Sequence, residues 1–355
     1  MAKSLLRAAR YLVGGWAALA FFSIAWAAER LPALNADAAA ITVSGISSGG
    51  YMAVQMLVAH SATVRGAGVI AAGPYDCAQG NVFTAMYGCM TPGFFSPLPD
   101  IKALKAATER FAAAGSIDAT SNLAGARVWL FSGTRDRTVK PEVVAAAAAF
   151  FREYVPQTSI EFERSIRAGH AMITTDVGSA CNVTAPPYIN ACDFDAAGAL
   201  LKYIGGASQP PSSSPQGKPL AFDQREFADD DAYRISMGDA GYIYVPNACE
   251  RERCRIHVAF HGCKQGAETL GDLFARSAGY NRWADANRLI VLYPQAIARY
   301  GWGGFGFNTS FVFNPNGCWD WWGYTGPAYA TRNAPQIRAV QAMIDRLAAP
   351  RATRP

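Results

Sequence analysis

Gly45-Ile46-Ser47-Ser48-Gly49-Gly50 follows the short apolar run Ala40-Ile41-Thr42-Val43-Ser44 and precedes Tyr51-Met52-Ala53-Val54-Gln55-Met56-Leu57-Val58. The first run reads as a strand and the second as a helix. A G-x-S-x-G pattern between strand and helix is the context of a nucleophile elbow. Its glycines let the backbone turn tightly and keep side chains away from the hydroxyl. Ser47 is expected to project above a parallel sheet, with the helix N-terminus beneath it. The plain alternative is a Gly/Ser turn without chemistry; the flanking strand and helix argue against it.

Outward from the elbow, Val64 to Gly73, Arg127 to Gly133 and Ser159 to Ser165 read as strands. Ile101 to Ala113 and Glu142 to Tyr154 read as helices between them. Such alternation predicts an α/β fold, a mostly parallel sheet with helices on both faces. A Pro/Ser-rich connector at about residues 208–219 then breaks the pattern. Beyond it, Gly241 to Pro246, Cys254 to Phe260 and Leu289 to Pro294 are strand-like, and Gln336 to Leu347 has helical spacing.

The connector either separates two domains or joins the old ends of one permuted domain. His261-Gly262-Cys263 follows a strand, where an α/β-hydrolase carries its oxyanion loop, but here that loop lies downstream of the nucleophile. The final helix would also lead into the Ile41-Thr42-Val43 strand. Both points favour a single circularly permuted α/β-hydrolase domain over residues 28–355.

The chain has 355 residues, 51% hydrophobic and 17% charged, enough for a substantial core. Lys3, Arg7 and Arg10, the apolar run Tyr11 to Ile24, and Ala25-Trp26-Ala27 have the three parts of a secretory signal over residues 1–27. The apolar run is short for a bilayer span of roughly 20 residues, so cleavage is expected, not a stable membrane anchor. Losing those three charges takes the formal net charge from +5 to about +2. Nothing here suggests a polyanion, and with no basic stripe no nucleic-acid partner is expected. The expected location is the periplasm or the medium.

Eight cysteines suit an oxidising compartment. Near neighbours suggest Cys77 with Cys89, Cys181 with Cys192, and Cys249 with Cys254, leaving Cys263 and Cys318. Many other connectivities are possible. Zinc is the alternative, but no cysteine doublet or His/Cys cluster has ligand spacing, and no metal is expected. The stretch Cys77 to Pro99, rich in glycine and aromatics, is a candidate lid.

A serine hydroxyl needs an adjacent base to act as a nucleophile. The chain has four histidines. His60 lies in the helix after the elbow, His257 inside a strand, and His261 in the presumed oxyanion loop. His170, on a Gly-containing loop after the fourth strand, is the expected base. Asp136, after the third strand, completes the order Ser47, Asp136, His170; a turn aspartate paired with Arg135 or Arg137 is the alternative. The backbone N–H groups of Ser48 and Cys263 are the expected oxyanion donors. A Cys263–Cys318 bridge would bring Cys318-Trp319-Asp320-Trp321-Trp322-Gly323-Tyr324 to the mouth of the site. There His261, Trp319, Trp321, Trp322 and Tyr324 are expected to contact an apolar ester chain, although core packing is the alternative for at least one tryptophan.

Taken together, Gly45 to Gly50, Gly133-Thr134-Arg135-Asp136-Arg137-Thr138-Val139, Gly169-His170-Ala171-Met172, His261-Gly262-Cys263 and Cys318 to Trp322 resemble the poly(3-hydroxybutyrate) depolymerases. The resemblance is to the type whose lipase box lies near the mature N-terminus. It implies a circularly permuted catalytic domain, a Ser47–Asp136–His170 triad, oxyanion donors at Ser48 and Cys263, a polyester polymer or oligomer as substrate, and no cofactor. Many extracellular members add a linker and a polymer-binding domain. This chain stops at Pro355, so adsorption is expected to use the catalytic domain's own exposed apolar residues. A feruloyl or acetyl-xylan esterase of the same fold, and a non-catalytic polyester-surface binder, are the competing functions.

Overall fold

The computed structural model describes residues 28–229, 231–303 and 310–351; the expected signal peptide lies outside these residues. The elbow sequence forms strand β1 (Asp37–Ile46), a one-residue turn at Ser47, and helix α1 (Ser48–Ala59). Every residue of α1 is buried, as its all-round apolar sequence requires. Strands β2 (Val64–Ile70), β3 (Arg127–Phe131) and β4 (Ile160–Glu163) follow. A small three-stranded sheet comes next, built from β5 (Met172–Thr174), β6 (Ser179–Ala180) and β7 (Ile189–Ala191). The second half contributes β8 (Leu220–Asp223), β9 (Ala240–Tyr244), β10 (Arg255–Phe260) and β11 (Leu289–Tyr293). Strands β12 (Arg299–Gly303) and β13 (Ser310–Asn314) pair antiparallel.

The main sheet has the order β4-β3-β2-β1-β10-β11-β9-β8. The pairs from β4 through β11 are parallel; β9 runs antiparallel to both neighbours. Counted from β8, the spatial order reads first, second, fourth, third, fifth, sixth, seventh, eighth, with the second strand reversed. This is the α/β-hydrolase sheet with its chain order rotated. The helix Pro335–Ala348 runs directly to β1: the N–H groups of Leu34 and Ala36 donate to the Leu347 carbonyl at 3.1 and 2.9 Å.

One face of the sheet is covered by Ala196–Gly205 and Tyr280–Asn287. Side chains there would collide with any Cβ at Gly66 or Gly68, which would meet Ile204 at 2.8 Å and Leu200 at 3.1 Å. Helices α1, Pro141–Phe151 and Pro335–Ala348 pack against the sheet elsewhere. The connector is pinned along Tyr280–Asn287, with Ser212 N–H donating to Arg282 O at 2.9 Å and Gln209 N–H to Asn287 Oδ1 at 2.9 Å. A Pro/Ser composition thus marks a surface strap here, not a loose tether.

Two differences from the sequence reading have local causes. Strand β4 ends at Glu163, whose carboxylate accepts from Ser165 N–H at 2.7 Å and curls the chain away. The helix Ala196–Gly205 was not anticipated, although Asp195 caps it through Gly198 N–H at 2.8 Å and Gly206 closes it at φ 62°. All eight cysteines are bonded, as Cys77–Cys89, Cys181–Cys192, Cys249–Cys254 and Cys263–Cys318.

Candidate active site

In a parallel sheet the loops at the C-terminal strand ends share one edge. Strands β1 and β10 are neighbours in register, with Gly45 opposite Phe260. Ser47 and the loop from His261 to Gln265 therefore emerge side by side. The ends of β3 and β4 bring Asp136 and His170 to the same edge. Four distant pieces of sequence meet there.

Ser47 sits at φ 56°, a left-handed conformation unusual for a residue with a side chain. The turn is crowded by backbone. A Cβ at Gly45 would lie 2.3 Å from Gly49 O, and one at Gly49 would lie 2.4 Å from His261 O. The glycines are thus required by close approach, and Gly49 is what lets α1 meet the β10 loop.

Asp136 Oδ2 lies 2.7 Å from His170 Nδ1. Asp136 Oδ1 accepts the N–H groups of Thr138 and Val139 at 2.8 and 2.9 Å. A carboxylate so placed holds the proton on Nδ1 and leaves Nε2 as the free acceptor. Neither Arg135 nor Arg137 forms an ion pair with Asp136 among the described residues. The two loops are laced together: Thr134 and Arg135 N–H donate to Ile166 O and Ala168 O at 2.9 and 3.0 Å. His170 N–H donates to Thr184 Oγ1 at 2.9 Å.

The loop after β10 abuts Ser47; a Cβ at Gly262 would lie 3.4 Å from that of Ser47. Gly262 N–H is taken by Gln265 Oε1 at 2.7 Å, and Gln265 Nε2 donates to Pro187 O and Tyr188 O at 3.1 and 3.0 Å. Among the described residues, the N–H groups of Ser48 and Cys263 have no protein acceptor. Two unspent donors beside one serine suit a developing oxyanion. The Cys263–Cys318 bond ties this loop to the aromatic segment.

Ser47 and His170 line one cavity of about 380 Å³, together with Tyr51, Met86, Cys263 and Trp321. Its wall is mainly apolar. Trp321 stacks on Tyr51 with ring centroids 4.0 Å apart, and Tyr51 OH donates to Cys89 O in the disulfide-closed segment. Helix α2 (Val82–Gly88), capped by Asn81, places Val82 and Met86 on the cavity wall.

Of the five expected ligand-contacting residues, Trp321 and Trp322 line the cavity. His261, Trp319 and Tyr324 do not. His261 is fully buried; its Nε2 accepts Ala296 N–H at 3.0 Å and its Nδ1 donates to Gly262 O at 2.7 Å. Burial pushes its pKa down to about 4, so the ring is a neutral brace. Trp319 is buried against Phe260 and His261. Tyr324 turns inward and donates to Cys318 O at 2.7 Å. Asp320 produces this split. Its carboxylate accepts the N–H groups of Gly323, Tyr324 and Thr325 at 2.7, 3.0 and 2.7 Å, curling the loop so that Trp321 and Trp322 meet the cavity while Trp319 and Tyr324 are packed inside.

Gln265, Asp320 and Thr184 were not singled out in the sequence. Their importance lies in backbone groups far along the chain, which no local pattern reports. His257, inside β10, is fully buried between Thr42 Oγ1 and Ser44 Oγ, each at 2.8 Å. Burial pushes its pKa down to about 3. It belongs to the sheet, away from the cavity.

No protein-family model matches the chain. A poly(3-hydroxybutyrate) depolymerase of Delftia acidovorans is 40% identical over 353 residues, covering 98% of this chain and 67% of the relative. A polyhydroxybutyrate depolymerase of Talaromyces funiculosus is 36% identical over 322 residues, covering 89% and 90%. The crystal structure of a PHB depolymerase from Penicillium funiculosum superposes with a TM-score of 0.80 at 33% identity, covering 90% of this chain and 98% of that one. A serine-to-alanine variant of a PHB depolymerase, complexed with an R3HB trimer, matches with the same TM-score, identity and coverage.

Proposed function

Since the chain belongs to the poly(3-hydroxybutyrate) depolymerase family, we propose that it hydrolyses poly(3-hydroxybutyrate) and its oligomers at the Ser47 cavity through an acyl-enzyme. The observation that carries this reading is the Asp136–His170 contact at 2.7 Å on the cavity that Ser47 lines.

In the proposed mechanism Ser47 Oγ attacks the ester carbonyl as His170 Nε2 takes its proton. The new oxyanion receives the N–H groups of Ser48 and Cys263. His170 then gives the proton to the leaving alkoxide. Water, deprotonated by the same nitrogen, releases the acyl group. Asp136 keeps His170 in the required tautomer and stabilises its charged form. The apolar wall and the Trp321–Trp322 pair take the aliphatic polyester.

We read residues 28–355 as one catalytic domain. Four disulfides fit an exported enzyme. Among the described residues no helix is long and apolar enough to cross a membrane.

The substrate class is tested by comparing kcat/KM on 3-hydroxybutyrate oligomers with that on feruloyl and acetyl-xylan esters. A preference for the oligomers supports the proposal. Efficient plant-wall ester cleavage with inert oligomers would replace it.

A further inference from the structure

Beside the Ser47 cavity, an open cleft of about 700 Å³ is lined by Arg135, Arg137, Arg167, Asn182, Thr138 and Thr184. The last two also line the Ser47 cavity, so the two spaces share a wall. All three arginines are exposed. None has an ion-pair partner among the described residues, and no carboxylate lines the cleft. Such an arrangement attracts an anion, and guanidinium groups suit a carboxylate in particular.

The chemistry of a 3-hydroxyacid polyester gives that anion a direction. When an internal ester is cleaved, the acyl fragment stays on serine with the chain's hydroxyl end. The fragment that leaves as the alcohol carries the chain's carboxylate end. The carbonyl carbon's bond to the alkyl oxygen breaks, the bond to Ser47 Oγ forms, and the proton held by His170 passes to the departing oxygen. The leaving fragment therefore lies on the His170 side. The arginine cleft is on that side too: Thr184 holds His170 N–H, and Gly169 N–H donates at 2.9 Å to the carbonyl of Cys181, which also lines the cleft.

Resting on the function proposed above, we infer that Arg135, Arg137 and Arg167 form a subsite for the terminal carboxylate of the leaving fragment. The enzyme then favours cleavage near the carboxylate end of soluble oligomers. A neutral chain end gains nothing from this cleft.

The test compares a short 3-hydroxybutyrate oligomer bearing a free carboxylate with its methyl ester. The readout is the ratio of the two kcat/KM values within one enzyme preparation, so general changes in activity cancel. Wild type should prefer the acid by about fivefold at low salt, as expected for an exposed charge contact. The ratio should fall towards one in 0.5 M NaCl by screening. It should fall to about one in R135Q/R137Q/R167Q and part of the way in R167Q. A wild-type ratio of one, or a ratio unchanged in a folded variant, overturns the inference while leaving the proposed function standing. If neither oligomer reacts while p-nitrophenyl butyrate does, the proposed function fails and the inference goes with it.

Discussion

Gln265 accepts the N–H of Gly262 at 2.7 Å while its amide nitrogen donates to the carbonyls of Pro187 and Tyr188. One buried side chain thereby takes the neighbouring donor out of service and fixes the loop that carries Cys263, the proposed second oxyanion donor, on the wall of the Ser47 cavity. Gln265→Ala should lower kcat on p-nitrophenyl butyrate by at least about tenfold, with KM within about twofold. Loss of one oxyanion donor outright costs about 10²–10³-fold. Steady-state kinetics check this. An unchanged kcat would mean that the loop holds its shape without Gln265.

Asp136→Asn removes the charge at nearly constant volume. An amide offers His170 Nδ1 either a donor or a weaker acceptor, so Nε2 is no longer held as the acceptor that the proposed mechanism needs. We expect kcat to fall by about 10³–10⁴-fold with circular dichroism unchanged. Activity within tenfold of wild type would reassign Asp136 to turn formation.

The buried histidines make stability depend on pH. His257 and His261 have folded-state pKa values pushed down to about 3 and 4, against about 6.5 when unfolded. Between those values the unfolded chain binds more protons, so stability is complete above about pH 6.5 and falls as pH drops. Each histidine should remove about 2 kcal/mol between pH 7.5 and pH 5. Buried Asp76 and Asp320, whose carboxyl pKa values are raised by burial, act with the opposite sign, over a window that begins above the unfolded carboxyl pKa of about 3.9. Urea titrations of His257→Gln should show a pH slope near 5.5 shallower by about 1.4 kcal/mol per pH unit. An unaltered slope would mean that His257 is not neutral in the folded protein.

Phe94 and Phe95 are 94% and 97% exposed and touch edge to face at 5.1 Å. With Phe83, 70% exposed on α2, they put three exposed apolar rings on the stretch Cys77 to Pro99, whose Val82 and Met86 line the Ser47 cavity. On a polyester surface such rings would leave water. Phe94→Ser/Phe95→Ser should weaken adsorption to solid polymer by at least about tenfold. Clearing of the polymer should fall more than turnover of a soluble ester. Equal loss on both substrates would place these rings in the catalytic step instead.

The elbow was readable in the sequence because its glycines report a local constraint, backbone packed against backbone within a few residues. The meeting of His170 with Asp136 was readable because chain order and strand ends limit where loops arrive. The aromatic segment was not. Whether Trp319 or Trp321 faces the cavity depends on how Asp320 gathers four later N–H groups, a property of loop closure. The cluster of Arg135, Arg137 and Arg167 was equally hidden, since two loops must be laced together before their charges become neighbours. Permutation was visible only because two features, the displaced His261-Gly262-Cys263 loop and the final helix, pointed to the same rotated order.

The most direct test uses an amorphous poly(3-hydroxybutyrate) suspension with purified mature protein and Ser47→Ala in parallel, following turbidity and released 3-hydroxybutyrate acid. Clearing with acid release by wild type and none by the variant is the predicted result. Equal clearing by both, or no acid release by wild type that still cleaves a p-nitrophenyl ester, would contradict polymer hydrolysis through Ser47.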